Sequence, residues 1–370
     1  MDKIIYLAFC FTSFFANAQF KESSTKDLVI EATSSIYNLE FDHADSIIKI
    51  IEPTYSNHPG LYLLKALDLT WKNWPLSSEN EAFETITKQL QHASDLCDSL
   101  LEIDENDPEA IFMALSSHGL LVQYYADDGS YLKSVGSARA AYRFIKEGFE
   151  LKEEFVDFYF STGLYNYYVE QYPDSHPIYR PLMWFFKNGD KEKGIEQMEY
   201  AAKHAELSSV EAHINLTYVY LRYLDSPLDA LRHTSYLVET YPNNLFFRGL
   251  HTEALSANNR FEEMVDHSNL LKKSDIHIFK YTGFLFGGEV YEKYQKDHTK
   301  AELHYQKFID NVKSKNKQVE DYISMAYNGL ARIYLSKNDK EQAKKYAKLG
   351  SKYAYYDRTE KESERILDSI

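Results

Sequence analysis

Apolar residues recur along this chain at helical spacing, interrupted by short polar breaks. In residues 210–224, Ile214, Thr217, Tyr218, Leu221 and Leu224 fall at i, i+3, i+4, i+7 and i+10, along one helical face. Five breaks punctuate the C-terminal two-thirds: Asn188-Gly189-Asp190, Asp225-Ser226-Pro227, Asn258-Asn259-Arg260, Lys296-Asp297-His298 and Asn338-Asp339. Each is followed by a periodic helix with one recurring position near its start, held by Gly194, Ala230, Met264, Ala301 and Ala343. These positions lie 36, 34, 37 and 42 residues apart. A period in that range marks a repeat whose unit is one helix pair, which cannot bury its apolar face alone.

The N-terminal part gives longer and less regular elements. A first pair is expected over 27–56, hinged at Asn38-Leu39-Glu40, and a helix through Leu61–Trp71 follows. Ser78 with Glu81 reads as a reciprocal capping box opening a helix that runs 79–103 and carries Cys97. Asp107-Pro108-Glu109 opens another, because proline at the first helical position lacks only an amide that would be unpaired anyway. It ends near Tyr125, and a further helix covers 132–151. Phe155–Gln171 is aromatic enough to be a buried helix, after which Pro173, Pro177 and Pro181 forbid regular helix until about Leu182. Tyr327, Leu330, Ala331, Tyr334 and Ala343 repeat the earlier register, and Tyr355–Ile370 reads as the polar cap that a terminal repeat needs. The period gives about six to seven helix pairs.

Composition supports an all-α chain: 370 residues hold only 14 Gly and 9 Pro, with 31 Tyr and 22 Phe to fill the wedges between hairpins. The net charge of −15 is uneven, since residues 19–150 carry 10 Lys/Arg against 22 Asp/Glu. An acidic surface repels phosphate backbones, so nucleic acid is not expected as a partner. Ile4–Phe15 is an apolar run too short to span a bilayer, followed by Ala16-Asn17-Ala18. Cleavage after Ala18 and export to the periplasm or cell envelope are expected, with a retained N-terminal anchor as the alternative. Cys97 would then be the one cysteine of a mature chain that does not span the membrane. The resulting organisation is a signal peptide at 1–18, irregular acidic hairpins at 19–152, an aromatic hairpin with a Pro-rich insertion at 153–204, and regular repeats with a capping helix at 205–370.

Ile214, Thr217, Tyr218, Leu221, Ala230 and Pro242, and again Tyr327, Leu330, Ala331, Tyr334 and Ala343, resemble tetratricopeptide repeats. That resemblance implies an all-α, right-handed superhelix of hairpins. Gly163-Leu164-Tyr165-Asn166-Tyr167-Tyr168, Pro173 and Phe185 to Gly194 are similar to a stretch of the tetratricopeptide repeat protein 39 family.

No sequence pattern points to chemistry. The 13 histidines show no ligand spacing, and the acidic run Asp104-Glu105-Asn106-Asp107 meets Pro108 where a calcium loop would continue. No catalytic, cofactor-binding or metal-binding residue and no cofactor is therefore assigned. In the resembled family the first helix of each pair lines the concave face. By that register Asn215, Val219, Arg222, Tyr223, Arg248, Asn328, Arg332 and Leu335 are the candidates for gripping an extended peptide. A second candidate is the Pro-rich loop with Tyr172, His176, Tyr179 and Arg180, read either as a recognition edge or as a plug tying two hairpins. The function expected is a non-enzymatic scaffold that binds a protein or peptide at the envelope, its oligomeric state open. An envelope hydrolase with an unrecognised site is one alternative. A solenoid that binds glycans or small molecules through exposed stacked Tyr or Trp is another.

Overall fold

The computed structural model describes residues 23–76, 79–175, 186–313 and 317–370. The expected signal segment lies outside them. The chain is all-α: 17 helices and no strand occur among the described residues. They divide into two compact units, one comprising residues up to Ile36 with Glu40–Phe158, the other Tyr37–Leu39 with Tyr159–Ile370.

Unit 1 is built from α1 (Ser23–Tyr37), α2 (Phe41–Tyr55), α3 (Pro59–Lys72), α4 (Glu81–Leu101), α5 (Pro108–Asp127) and α6 (Tyr131–Leu151). Asp107 caps α5 as expected, accepting from the Glu109 and Ala110 amides at 3.0 and 3.1 Å. The start of α4 is a correction. Asn80, not Ser78, is its cap, accepting from the Ala82 amide at 2.8 Å. Ile86 and Leu90 of α4 pack with Ala66, Leu121 and Tyr124 in one apolar cluster. Cys97 is fully buried on that helix, and burial pushes its thiol up, so it behaves as a small apolar residue.

Unit 2 contains α7 (Phe158–Ser175), α8 (Lys191–His204), α9 (Ser209–Tyr218), α10 (Pro227–Thr240), α11 (Leu245–Ala257), α12 (Met264–Lys272), α13 (His277–Glu289), α14 (His298–Asn311), α15 (Lys317–Ser336), α16 (Lys340–Tyr353) and α17 (Asp357–Asp368). Consecutive helices from α8 to α17 pack on one another, hairpin on hairpin, as in a stacked helical repeat. Counting α1/α2 to α15/α16 gives eight pairs among the described residues, more than the expected six to seven. The period is regular only from Gly194 onward, and α3 to α6 lack its cue.

The breaks between paired helices share one device. Leu39, Asp225, Asn259, Lys296 and Asn338 all adopt positive φ, between 48° and 60°. That left-handed residue reverses the chain and returns an amide to a helix carbonyl, as Arg260 does to Leu255 and Asp339 to Tyr334, both at 2.9 Å. Aspartates then cap the second helices: Asp190, Asp297 and Asp339 each accept from the amide three residues on, at 3.0 Å. Such a cap contributes about 1 kcal/mol.

Two turns differ. The last turns of α9 and α13 widen into π-helix at Val219–Tyr223 and Val290–Tyr294. A π-turn takes up one extra residue and rotates the side chains beyond it. A second departure concerns Pro173, which lies inside α7; the helix continues to Ser175 rather than stopping before the proline. In that last turn few later amides depend on the bond that proline removes. The four residues of the second candidate site fall here. Tyr172 lies on α7, nothing is described of its side chain, and His176, Tyr179 and Arg180 lie outside the described residues.

Candidate functional site

In unit 2 the first helices α9, α11, α13 and α15, with α17, bring their charged side chains together. Arg222, in the π-turn, donates to both carboxylate oxygens of Glu253 on α11, through Nη1 to Oε1 and through Nη2 to Oε2 at 2.8 Å. Tyr322 Oη on α15 donates to Glu253 Oε2 at 2.7 Å, and the Tyr356 ring lies 4.7 Å from the Arg222 guanidinium. One hairpin further, Arg332 Nε and Nη2 donate to Glu292 at 2.6 and 2.7 Å, and Nη1 donates to Glu362 of α17. Tyr305 Oη completes the Glu292 shell at 2.6 Å. Burial acts to neutralise each of these groups. The opposite charge overrides it, so the Glu253, Glu292 and Glu362 carboxyls are lowered and both guanidiniums are raised.

These contacts overturn much of the expected groove. Val219, Arg222 and Asn328 are buried, and Arg332 is spent on two carboxylates. The π-turn at Val219–Tyr223 rotates Arg222 inward, while α17 covers the faces that the repeat register leaves open. Asn328 donates to the Thr359 carbonyl at 3.1 Å and accepts from Ser363 Oγ at 2.8 Å. Asp321 accepts from the Tyr355 and Tyr356 amides at 3.2 Å, holding the start of α17. Asn215 donates to the Glu211 carbonyl of its own helix, at 2.8 Å. Tyr223 and Leu335 are half-buried, Tyr223 against the rings of Tyr167, Tyr168 and Tyr356. Arg248 is half-buried too, donating to the Pro242 carbonyl beside His267.

Residues given no role in the sequence form a second layer, between the two helices of each hairpin. Counting three residues past Gly194, Ala230, Met264, Ala301 and Ala343 gives Gln197, His233, His267, His304 and Tyr346. Each meets the first helix of its own pair. Gln197 Oε1 accepts from Asn166 at 2.8 Å, His233 Nδ1 lies 2.9 Å from His213 Nδ1, and the His267 ring is 4.9 Å from that of His251. The Tyr346 ring stacks with Tyr327 at 6.2 Å. Three histidines at spacings of 34 and 37 residues were a legible signal, hidden when histidines are searched only for spacing within one helix.

The His213–His233 pair continues to a carboxylate. Glu199 Oε1 is 3.0 Å from His233 Nε2, and Arg232 donates to both Glu199 oxygens at 2.6 and 3.0 Å. Tyr220 Oη donates to the same Oε1 at 2.9 Å. Because a carboxylate only accepts, His233 Nε2 carries a proton, and one further proton is shared between the facing Nδ1 atoms. Burial would raise the Glu199 carboxyl, but the His233 and Arg232 hydrogen bonds hold it well below the usual range. No group of histidine, cysteine and carboxylate side chains suited to a metal ion occurs among the described residues.

Burial gives these histidines a pH signature. It lowers the His213 imidazole to about 3, aided by His233, and the His251 imidazole to about 3, aided by His267, Arg260 and Arg248. The native state keeps both rings neutral, while the unfolded chain protonates them below its ordinary 6.5. Unfolding then takes up protons, so the stability that these rings contribute above pH 6.5 is lost as pH falls towards 3. The expected slope is about 1.4 kcal/mol per pH unit for each ring. Urea titrations between those limits check it: the double variant His213→Gln/His251→Gln flattens the dependence, and an unchanged slope refutes the assignment.

A stripe of partly exposed rings and apolar side chains follows the same helices. Six residues past the recurring position stand Tyr200 on α8, Tyr236 on α10 and Leu270 on α12, exposed by 42, 40 and 43%. Tyr236 stacks on His213 at 4.0 Å, and Tyr200 lies 4.4 Å from both Tyr159 and His204. No described helix is long and apolar enough to cross a membrane.

No family model matches the chain, and no curated protein does. Among solved structures, yeast Tom70 aligns over 93% of this chain and 81% of its own, at 12% identity and a TM-score of 0.38. Human IFIT1 as a dimer with m7Gppp-AAAA aligns over 92% of this chain and 96% of its own, at 14% identity and a TM-score of 0.36. The human IFIT1 dimer with PPP-AAAA aligns over 84 and 78%, at 14% identity and a TM-score of 0.35.

Proposed function

We propose that this chain is a non-enzymatic scaffold that docks a protein or peptide partner at the cell envelope, after export directed by residues 1–18. The observation that carries the reading is the stripe Tyr200, Tyr236 and Leu270. Three successive second helices present a large apolar side chain at one register, each exposed to about the same degree. A periodic apolar stripe on a rigid array matches a partner that contacts several hairpins in succession, and such surfaces mark interaction sites. Rings suit this use, because they supply large contact area with little conformational entropy to lose. The inner arginines are already neutralised by carboxylates of their own chain, so the stripe, rather than Arg222 and Arg332, is the contact surface in this reading.

Affinity capture from envelope extract, read by mass spectrometry, tests the proposal with the triple variant Tyr200→Ser/Tyr236→Ser/Leu270→Ser. Its partners are expected to fall by about tenfold or more in yield, since removing such anchors costs over 1 kcal/mol each. An unchanged partner set, with wild-type thermal stability, would exclude the stripe. A glycan-binding reading has less support, because His213 already covers one face of the Tyr236 ring.

A further inference from the structure

At α13/α14 the register residue is His304, and the facing residue on α13 is Gly287. A Cβ placed at Gly287 would lie 3.1 Å from His304 Cδ2, 3.6 Å from His304 Nε2 and 3.3 Å from Lys272 Nζ. Glycine thus lets an imidazole and an ammonium lean against the same stretch of α13 backbone. His304 Nδ1 is 3.0 Å from the Lys300 carbonyl, which accepts only, so Nδ1 carries the proton and the neutral ring keeps a bare Nε2 beside Gly287, where Lys272 Nζ also lies. Lys272 forms no ion pair among the described residues, although Lys300, one turn before His304, is paired with Asp297 at 2.9 Å. Aromatic rings border the place: Tyr291 and Phe284 lie 4.7 and 5.2 Å from the His304 ring, and Lys307 Nζ sits 4.2 Å above Phe284.

We propose that Lys272 Nζ and His304 Nε2 form an oxyanion-binding site, floored by Gly287 and walled by Phe284 and Tyr291, which takes a carboxylate or phosphate group borne by the partner. The partner's identity as a protein rests on the scaffold reading; the site does not. Arg222 and Arg332 in this unit meet carboxylates of their own chain, whereas Lys272 meets none among the described residues. Burial lowers the Lys272 amine, and burial together with the Lys272, Lys307 and Lys300 charges lowers the His304 imidazole. A bound oxyanion reverses both effects. It offsets the ammonium and draws a proton onto His304 Nε2, which turns that atom from acceptor to donor and gives the anion a second charge-assisted hydrogen bond.

Side-chain NMR of the histidines in the full chain tests this, with inorganic phosphate as the probe and acetate, at matched ionic strength, as the carboxylate arm. Phosphate is expected to shift the His304 ring signals saturably and to raise their titration midpoint by about one unit or more. Lys272→Gln should weaken that response by about tenfold or more while leaving the melting temperature unchanged, since the amine forms no ion pair among the described residues. Saturation by both anions supports a site for which a carboxylate suffices, and saturation by phosphate alone supports a phosphoryl site. No saturable shift with either, or a Lys272→Gln response equal to wild type, overturns the proposal. The measurement needs no partner. Failed capture with an intact phosphate response removes the scaffold reading alone, and successful capture with no response removes the oxyanion site alone.

Discussion

Replacing Glu253 by glutamine is expected to destabilise unit 2 by about 3–5 kcal/mol. Glu253 is fully buried and takes both guanidinium hydrogen bonds of Arg222 as well as the Tyr322 hydroxyl. The amide has nearly the same shape but no charge, and it can no longer accept on both sides. Arg222 is left cationic without its paired carboxylate, and its Nε already has no hydrogen-bond partner. The cost therefore comes mainly from stranding a buried charge, and only secondarily from lost attraction. That distinction is measurable in urea unfolding. The double variant Arg222→Met/Glu253→Met removes both charges and should recover most of the loss, because matched apolar residues often replace a buried pair at little cost. A Glu253→Gln loss below about 1 kcal/mol would mean that water reaches the pair and that the interior of the first-helix layer is wet.

The second large effect is expected where α7 and α8 cross. A Cβ at Gly194 would come within 2.7 Å of the Tyr167 amide nitrogen and 2.8 Å of the Gly163 carbonyl oxygen. Gly163 faces the same crossing, its own Cβ position lying 2.8 Å from the Gly194 carbonyl. Both obstacles are backbone, so neither can swing aside, and Gly194→Ala must push two helices apart. A cost of about 1–3 kcal/mol is expected, after alanine has recovered up to about 1 kcal/mol of helix propensity. Gly249, in the middle of α11, supplies the control, since a Cβ there meets nothing within 4 Å. Gly249→Ala should be neutral or stabilising by up to about 1 kcal/mol. Thermal melts of the two variants side by side decide it. Equal effects at both positions would show that propensity rather than crossing geometry governs glycine in this array.

The recurring position was legible because its cause is local and repeats. Gly194, Ala230, Met264, Ala301 and Ala343 are all buried at the start of second helices, as their spacing predicts. The breaks were legible for the same reason: short polar runs at a fixed period mark where the chain reverses, and Asp225, Asn259, Lys296 and Asn338 within them hold the left-handed position. Gly287 and Gly288 likewise sit at a close approach, against His304 and Tyr305. The candidate groove was not legible. Its register assumed an unbroken α-helix with one open face, and two facts outside local sequence defeat that assumption.

The π-turn at Val219–Tyr223 takes up an extra residue, which turns Arg222 from a groove position into the interior. Helix α17 then lies over the first helices and uses Asn328, Asp321 and Arg332 as its own anchors. By itself the sequence determined the all-α class, the hairpin period, the reversals and the small residues at helix contacts. Each of these depends on side-chain size or backbone preference within a few positions. Only the tertiary structure decided which charges are neutralised and which stay available. Pairing joins residues 31 to 40 positions apart, Arg222 with Glu253 and Glu292 with Arg332, and depends on helix rotation rather than on pattern. In the same way, Gly287 lets His304 and Lys272 meet against one stretch of α13 backbone, a juxtaposition that no local pattern encodes.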